Sequence, residues 1–148
     1  MKSKRIISFE NLNCWKACRE VRIFVMDLVK KFPDEEKYSL TDGMKRASRS
    51  ATENIAERFG RYHFQENIQF CRHSRGSLHE LIDQLITAFD ENYITRKEFN
   101  SGMDLINNAL GLLNGYINFN ISTYNLKLIN LSRWWHSHAN GRCLRHNF

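Results

Sequence analysis

The sequence predicts an all-α protein, an antiparallel up-down-up-down bundle of four helices. Three observations predict it. Apolar residues recur in steps of three and four along four separate stretches. One proline and seven glycines in 148 residues leave little room for long loops. The connections between the periodic stretches are short, and short connections make an antiparallel bundle the simplest packing. A chain of this length suits one domain whose core needs no disulfide staples, and 42% of its residues are apolar.

Residues 1–9 read as a basic arm carrying Lys2, Lys4 and Arg5, ahead of a bundle spanning 10–122. The first helix runs from Leu12 to Phe32, with Leu12, Trp15, Cys18, Val21, Val25, Leu28, Val29 and Phe32 on its buried face. Pro33 ends it, because the residue before proline is pushed out of the helical region. A polar connection, 34–38, leads to a second helix that ends at Phe59, with Met44, Ala47, Ala51, Ile55 and Phe59 as its stripe. The small residues Ala47, Ser48, Ala51 and Ala56 let a neighbour approach closely, and Gly60 is placed to stop the helix. The third helix runs from Phe64 to Glu91 on Ile68, Cys71, Leu78, Leu81, Ile82, Leu85 and Phe89. Gly76 interrupts it at a cost of about 1 kcal/mol against alanine, which a close helix contact would explain. Thr95 and Glu98 form a capping box that opens the fourth helix on Phe99, Met103, Ile106, Leu110, Leu113 and Ile117. No internal repeat is evident. After Thr123 the pattern degrades, so 123–148 reads as a poorly ordered tail outside the core, rich in Trp, His and Arg.

The net charge of +6, with a pI near 9.3, favours an anionic partner, either nucleic acid or an acidic membrane surface. That charge is segregated. Residues 43–75 carry a net +4, residues 76–104 a net −4, and no acidic residue follows Asp104. Lys45, Arg46, Arg49, Arg58, Arg61, Arg72 and Arg75 make up the basic cluster. Six of the seven are arginine, whose planar fork suits phosphate and can stack on bases. Tyr62, His63 and Phe64 lie among them as candidate stacking platforms. A solvated face or a subunit interface would also use such a cluster.

Candidate chemistry is sparse. Cys14 and Cys18 share a helix face and Cys71 could join them, but small thiols filling a core explain them better than a metal. His136, His138, Cys143 and His146 have the count for zinc but the spacing of no standard module. Glu53, Glu57 and Glu80 would suit a di-iron bundle only with Glu-x-x-His motifs, which the chain lacks, so pairing with arginines is expected. Ser48, Ser50, Ser74 and Ser77 fall within helices and suit close packing. Phosphate loops, nucleophile elbows and dinucleotide fingerprints are missing from the sequence. The reading is therefore no enzyme, no metal and no cofactor. The N-terminal run has no apolar h-region and no stretch nears the roughly 20 apolar residues of a membrane span. A cytoplasmic setting with reduced thiols and no membrane partner is expected.

Four pieces of the chain carry a family resemblance. FENLNCWKA opens it, KKFPDEEKYSLTDGMKRAS follows, SATENIAERFGR is the central signature, and SRGSLHELIDQLITA closes it. Together they resemble the small bacterial four-helix-bundle proteins associated with intervening sequences in large-subunit ribosomal RNA. That family also includes accessory variability proteins of diversity-generating retroelements. The similarity runs from Phe9 to Ile121. Arg58 stands where the signature usually has glycine, which adds a cation beside Arg61 and lengthens the helix by a residue or two. The resemblance implies a ring, typically a homopentamer. It also implies that retroelement members bind nucleic acid and act with a reverse transcriptase in template-RNA-primed cDNA synthesis. The run YHFQENIQFCRHSRGSLHELIDQLITAFDENYI is closer to the retroelement type.

The function expected from all this is a non-enzymatic, oligomeric scaffold for RNA, with DNA as a further ligand, in which the seven basic residues meet phosphates. The alternative is a protein-interaction module in which one subunit's basic segment meets the next subunit's acidic segment. A metal-dependent enzyme is a distant third reading.

Overall fold

The computed structural model describes residues 8–59 and 64–139, apart from the side chains of 64–67 and 135–139. Four helices make up nearly all of it: α1 (Asn13–Leu28), α2 (Leu40–Phe59), α3 (Phe64–Asp90) and α4 (Arg96–Ala139). No strand occurs among the described residues. Each helix packs on its neighbours in sequence, and α1 also packs on α4.

The stripes read from the sequence form the core, except that Phe59 at the end of α2 is 37% exposed. Cys18, Val21 and Val25 of α1, Met44, Ala51 and Ile55 of α2, Leu78, Leu81 and Leu85 of α3, and Leu113 of α4 are almost wholly buried. Small residues let α2 and α3 approach closely. Ser74 Oγ donates to the Ala51 carbonyl at 2.6 Å, and Ser77 Oγ donates to Ser50 Oγ at 2.9 Å. A Cβ on Gly43 would sit 2.9 Å from the Gln84 side chain. One on Gly102 would lie 2.7 Å from Leu85 and 2.9 Å from Phe24, so α4 passes close to α1 and α3 there.

The helix ends follow local chemistry. Before Pro33, α1 tightens into a 3-10 turn at Val29–Lys31. The polar connection is itself a 3-10 turn, Asp34–Tyr38. Asn92 stops α3 with a left-handed φ of 60°, and Tyr93 N–H returns to the Ala88 carbonyl at 2.9 Å. The capping box forms as read: Thr95 N–H donates to Glu98 Oε2 at 2.8 Å, and Glu98 N–H to Thr95 Oγ1 at 3.3 Å.

Three expectations are corrected. Phe9 is part of the bundle, not of a free arm, because Ser8 caps a short 3-10 turn that sets Phe9 against Trp15 and Phe59. Gly76 makes no close contact, since a Cβ there would meet nothing within 4 Å. Residues 123–139 are not an irregular tail; α4 continues through them without a break. Gly60 lies outside the described residues.

Gly111 and Gly115 also face open space in the middle of α4. Gly111→Ala and Gly115→Ala are each expected to raise the unfolding free energy by about 0.5–1 kcal/mol, through helix propensity and a less flexible unfolded chain. Chemical denaturation reads this directly, and a loss of stability in either variant would mean that those positions are covered.

Candidate nucleic-acid interface

The seam between α1 and α2 brings together basic residues that lie far apart in the chain. Helical spacing puts Trp15, Arg19, Arg22 and Met26 on one edge of α1. Lys45, Arg49 and Thr52 line the facing edge of α2. Arg22 Nη1 donates to Thr52 Oγ1 at 2.9 Å, and the Thr52 hydroxyl donates to the Arg49 carbonyl at 2.8 Å, which fixes the register. Arg19 and Arg49 are exposed, while Arg22 and Lys45 are half-buried along their stems. Phe9, Trp15 and Phe59 stack edge-on at one end, with ring centroids 5.2 and 6.5 Å apart, and Phe59 is 37% exposed. Beside them a shallow depression of about 430 Å³ is lined by Glu10, Trp15, Lys16, Arg19 and Glu20. Cations flanked by aromatic faces can hold phosphates and stack bases. Glu20, Glu53 and Glu57 border the seam.

The seven basic residues picked from the sequence do not form one patch. Lys45 and Arg49 lie in the seam. Arg46 is exposed on the outer face of α2, paired with Asp42 at 3.1 Å. Arg72 is exposed on α3. Arg75 is half-buried on the opposite side of the bundle, where Nη1 donates to Asn114 Oδ1 of α4 at 3.3 Å. Arg61, Tyr62, His63 and the Phe64 side chain lie outside the described residues.

Arg58 is not a surface cation. It is only 7% exposed, its Nη2 donates to Asn120 Oδ1 at 2.9 Å, and its guanidinium lies 4.1 Å over the Tyr116 ring. Its Nη1 has no hydrogen-bond partner. Burial lowers its pKa. Arg58 follows Ile55 by three residues, so it continues the buried stripe of α2, and that spacing was the signal for its position. Arg19 and Arg22 were missed because charge was counted along the chain, while the seam joins residues about 30 apart.

The three described cysteines belong to the core. Burial raises the Cys14 thiol to about 11 and the Cys18 thiol to about 12. It raises Cys71 as well, with Arg58 pulling it partly back. Neutral buried thiols are poor nucleophiles, so iodoacetamide at neutral pH is expected to leave Cys14 and Cys18 unmodified until the protein unfolds. Peptide mass mapping before and after denaturation checks this. No group of three His, Cys, Asp or Glu side chains is placed to hold a metal among the described residues. His136, His138, Cys143 and His146 lie outside the described side chains. Glu80 accepts a hydrogen bond from Gln84 at 3.0 Å instead of pairing with an arginine. No helix among the described residues is long and apolar enough to cross a membrane.

Residues 10–115, more than two-thirds of the chain, match the 23S rRNA-intervening sequence proteins. The chain belongs to that family. The basic residues of the α1–α2 seam fall within the matched region, whereas Tyr116 and Asn120, which hold Arg58, fall beyond it. A solved structure shares the fold: a protein of unknown function from the S23 ribosomal protein family of Bacteroides thetaiotaomicron. It is 20% identical, with a TM-score of 0.66 over 71% of this chain and 95% of that one. No curated protein matches the chain.

Proposed function

We propose that this protein is a non-enzymatic RNA-binding scaffold, an antiparallel up-down-up-down bundle that assembles as a homopentameric ring in the cytoplasm. The observation that carries the reading is the α1–α2 seam, where the Arg22–Thr52 contact sets Arg19 and Arg22 of α1 alongside Lys45 and Arg49 of α2, with Phe9, Trp15 and Phe59 at one end. Membership of the rRNA-intervening-sequence family supports RNA as the ligand. The opposed register of the helices supports the topology, since Ala51 meets Ser74 while Gly43 meets Gln84. A ring would repeat the groove five times, so weak phosphate contacts would add through avidity. Such contacts position a nucleic acid and read little of its sequence. The ring would hold an RNA alone, or an RNA engaged by a reverse transcriptase during template-RNA-primed cDNA synthesis; duplex DNA would bind through the same contacts.

Binding of a structured RNA and a matched DNA duplex across a salt series, on protein sized by light scattering, tests this reading. The expected result is RNA binding whose log–log slope against salt is about −3 or steeper, from four phosphate contacts per groove. A flat salt response would sink it. An absence of binding at low salt would favour the protein-interaction reading, to which the exposed Leu112 and Phe119 lend support.

A further inference from the structure

The depression beside Trp15 is lined by more than a phosphate needs. Glu10, Trp15, Lys16, Arg19 and Glu20 surround it, and its volume of about 430 Å³ falls in the range of small-ligand sites, about 300–1,000 Å³. Two of these residues are carboxylates, which repel phosphate and only accept hydrogen bonds. No ion pair among the described residues joins them to Lys16 or Arg19. The cations suit a nucleic-acid backbone, whereas the acceptors suit the N–H donors of a base edge.

The depression is formed by the fold itself. Trp15 and Arg19 stand one turn apart on α1, as do Lys16 and Glu20. Glu10 comes from outside that helix, on the 3-10 turn Phe9–Asn11. Three contacts fix the turn. Ser8 Oγ accepts from Glu10 N–H at 3.4 Å, Leu12 N–H returns to the Phe9 carbonyl at 2.9 Å, and the Phe9 ring stands edge-on to Trp15 at 5.2 Å. Leu12, next in the chain, is buried in the core. Trp15 is half-buried, while the four charged residues are exposed. Trp15 and Arg19 also lie on the α1 edge of the seam, so the depression adjoins the line of cations.

A base entering here meets an aromatic ring, a planar guanidinium and carboxylates. Indole and guanidinium stack on any base. The carboxylates choose among bases. Guanine presents two adjacent donors on its Watson–Crick edge, N1–H and the N2 amino group, which match the two oxygens of one carboxylate. Adenine and cytosine present an amino donor beside an acceptor nitrogen, and uracil an N–H between two carbonyls. Each of these sets an acceptor against the carboxylate. Pairing hides this edge in a duplex, and a single strand leaves it open.

We infer that the depression takes one unpaired guanine of an RNA whose phosphates follow the α1–α2 seam. The base stacks against Trp15 and Arg19, and a carboxylate of Glu10 or Glu20 accepts from its N1–H and N2 amino group. The inference rests on the RNA-binding reading and deepens it: the phosphate contacts read little sequence, and this depression reads one base.

Stem-loop RNAs that differ in a single loop nucleotide, titrated against the full chain, test it. The guanine loop is expected to bind about tenfold tighter than the adenine, cytosine or uracil loop, the discrimination of one good bidentate contact. One of Glu10→Gln and Glu20→Gln is expected to turn the preference from guanine to adenine, since an amide offers one acceptor and one donor. Weakened folding would not exchange one base for another. With Trp134→Phe and Trp135→Phe, Trp15 is the one remaining tryptophan, and the guanine loop should quench its fluorescence. Equal affinity for the four loops, with binding still salt-dependent, would overturn the guanine site and leave the RNA-binding reading standing. A guanine preference untouched in both glutamine variants would do the same. No binding of any loop at low salt would overturn both.

Discussion

Replacing Arg19, Arg22, Lys45 and Arg49 together by glutamine is expected to lower affinity for a structured RNA by about 10- to 100-fold at physiological salt, and to flatten the log–log salt slope by about 3. Each neutralised phosphate contact removes the release of roughly one counterion, so affinity and slope must fall together. Arg22 should contribute least, since its guanidinium already bonds Thr52. Folding should survive: three of the four make no hydrogen bond that the substitution would orphan, and losing the Arg22–Thr52 bond costs about 1 kcal/mol. The triple Arg46→Gln, Arg72→Gln, Arg75→Gln is the control. It removes nearly as much charge, but Arg46 is paired with Asp42, Arg75 is committed to Asn114, and the three do not share a groove. Equal losses in the two variants would mean that RNA senses the overall positive potential and no particular seam.

The helices and most of their ends were legible because each is marked by local chemistry. Pro33 stops α1, Thr95 and Glu98 start α4, and steps of three and four fix the buried faces. The Asn92 stop was not legible, because asparagine takes the left-handed conformation only where the following turn returns Tyr93 to Ala88. The candidate site was read only in part. Lys45 and Arg49 were found from charge density, but charge density along a chain is blind to which helix edges meet. Arg19 and Arg22 join them only through the α1–α2 packing, and Arg75 departs because it reaches α4. The α4 extension was misread because Asn118, Asn120, Ser122, Thr123 and Asn125 dilute the apolar pattern with weak helix formers.

Substitutions around Arg58 should then separate stability from binding. Asn120→Ala is expected to be the most damaging, by about 3 kcal/mol or more, because it leaves a buried guanidinium without its acceptor. Its Nη1 has no hydrogen-bond partner, and the Cys71 thiol beside the guanidinium is a weak acceptor. Arg58→Ala should cost about 2 kcal/mol: the cavity and the orphaned Asn120 oxygen are partly offset by relief of a desolvated charge. Arg58→Met keeps the volume and the contact with Tyr116 while removing the charge, so it should lie within about 1 kcal/mol of the wild type. Arg58→Met with Asn120→Leu replaces both polar partners by apolar ones and should match or exceed wild-type stability. Urea unfolding gives the ranking. RNA affinity, measured where each variant is fully folded, should be unchanged across the series, since a buried guanidinium meets no phosphate. A drop in affinity for Arg58→Met alone, with stability intact, would mean that this side chain leaves its place over Tyr116 when RNA arrives, and the buried geometry would then describe only the free protein.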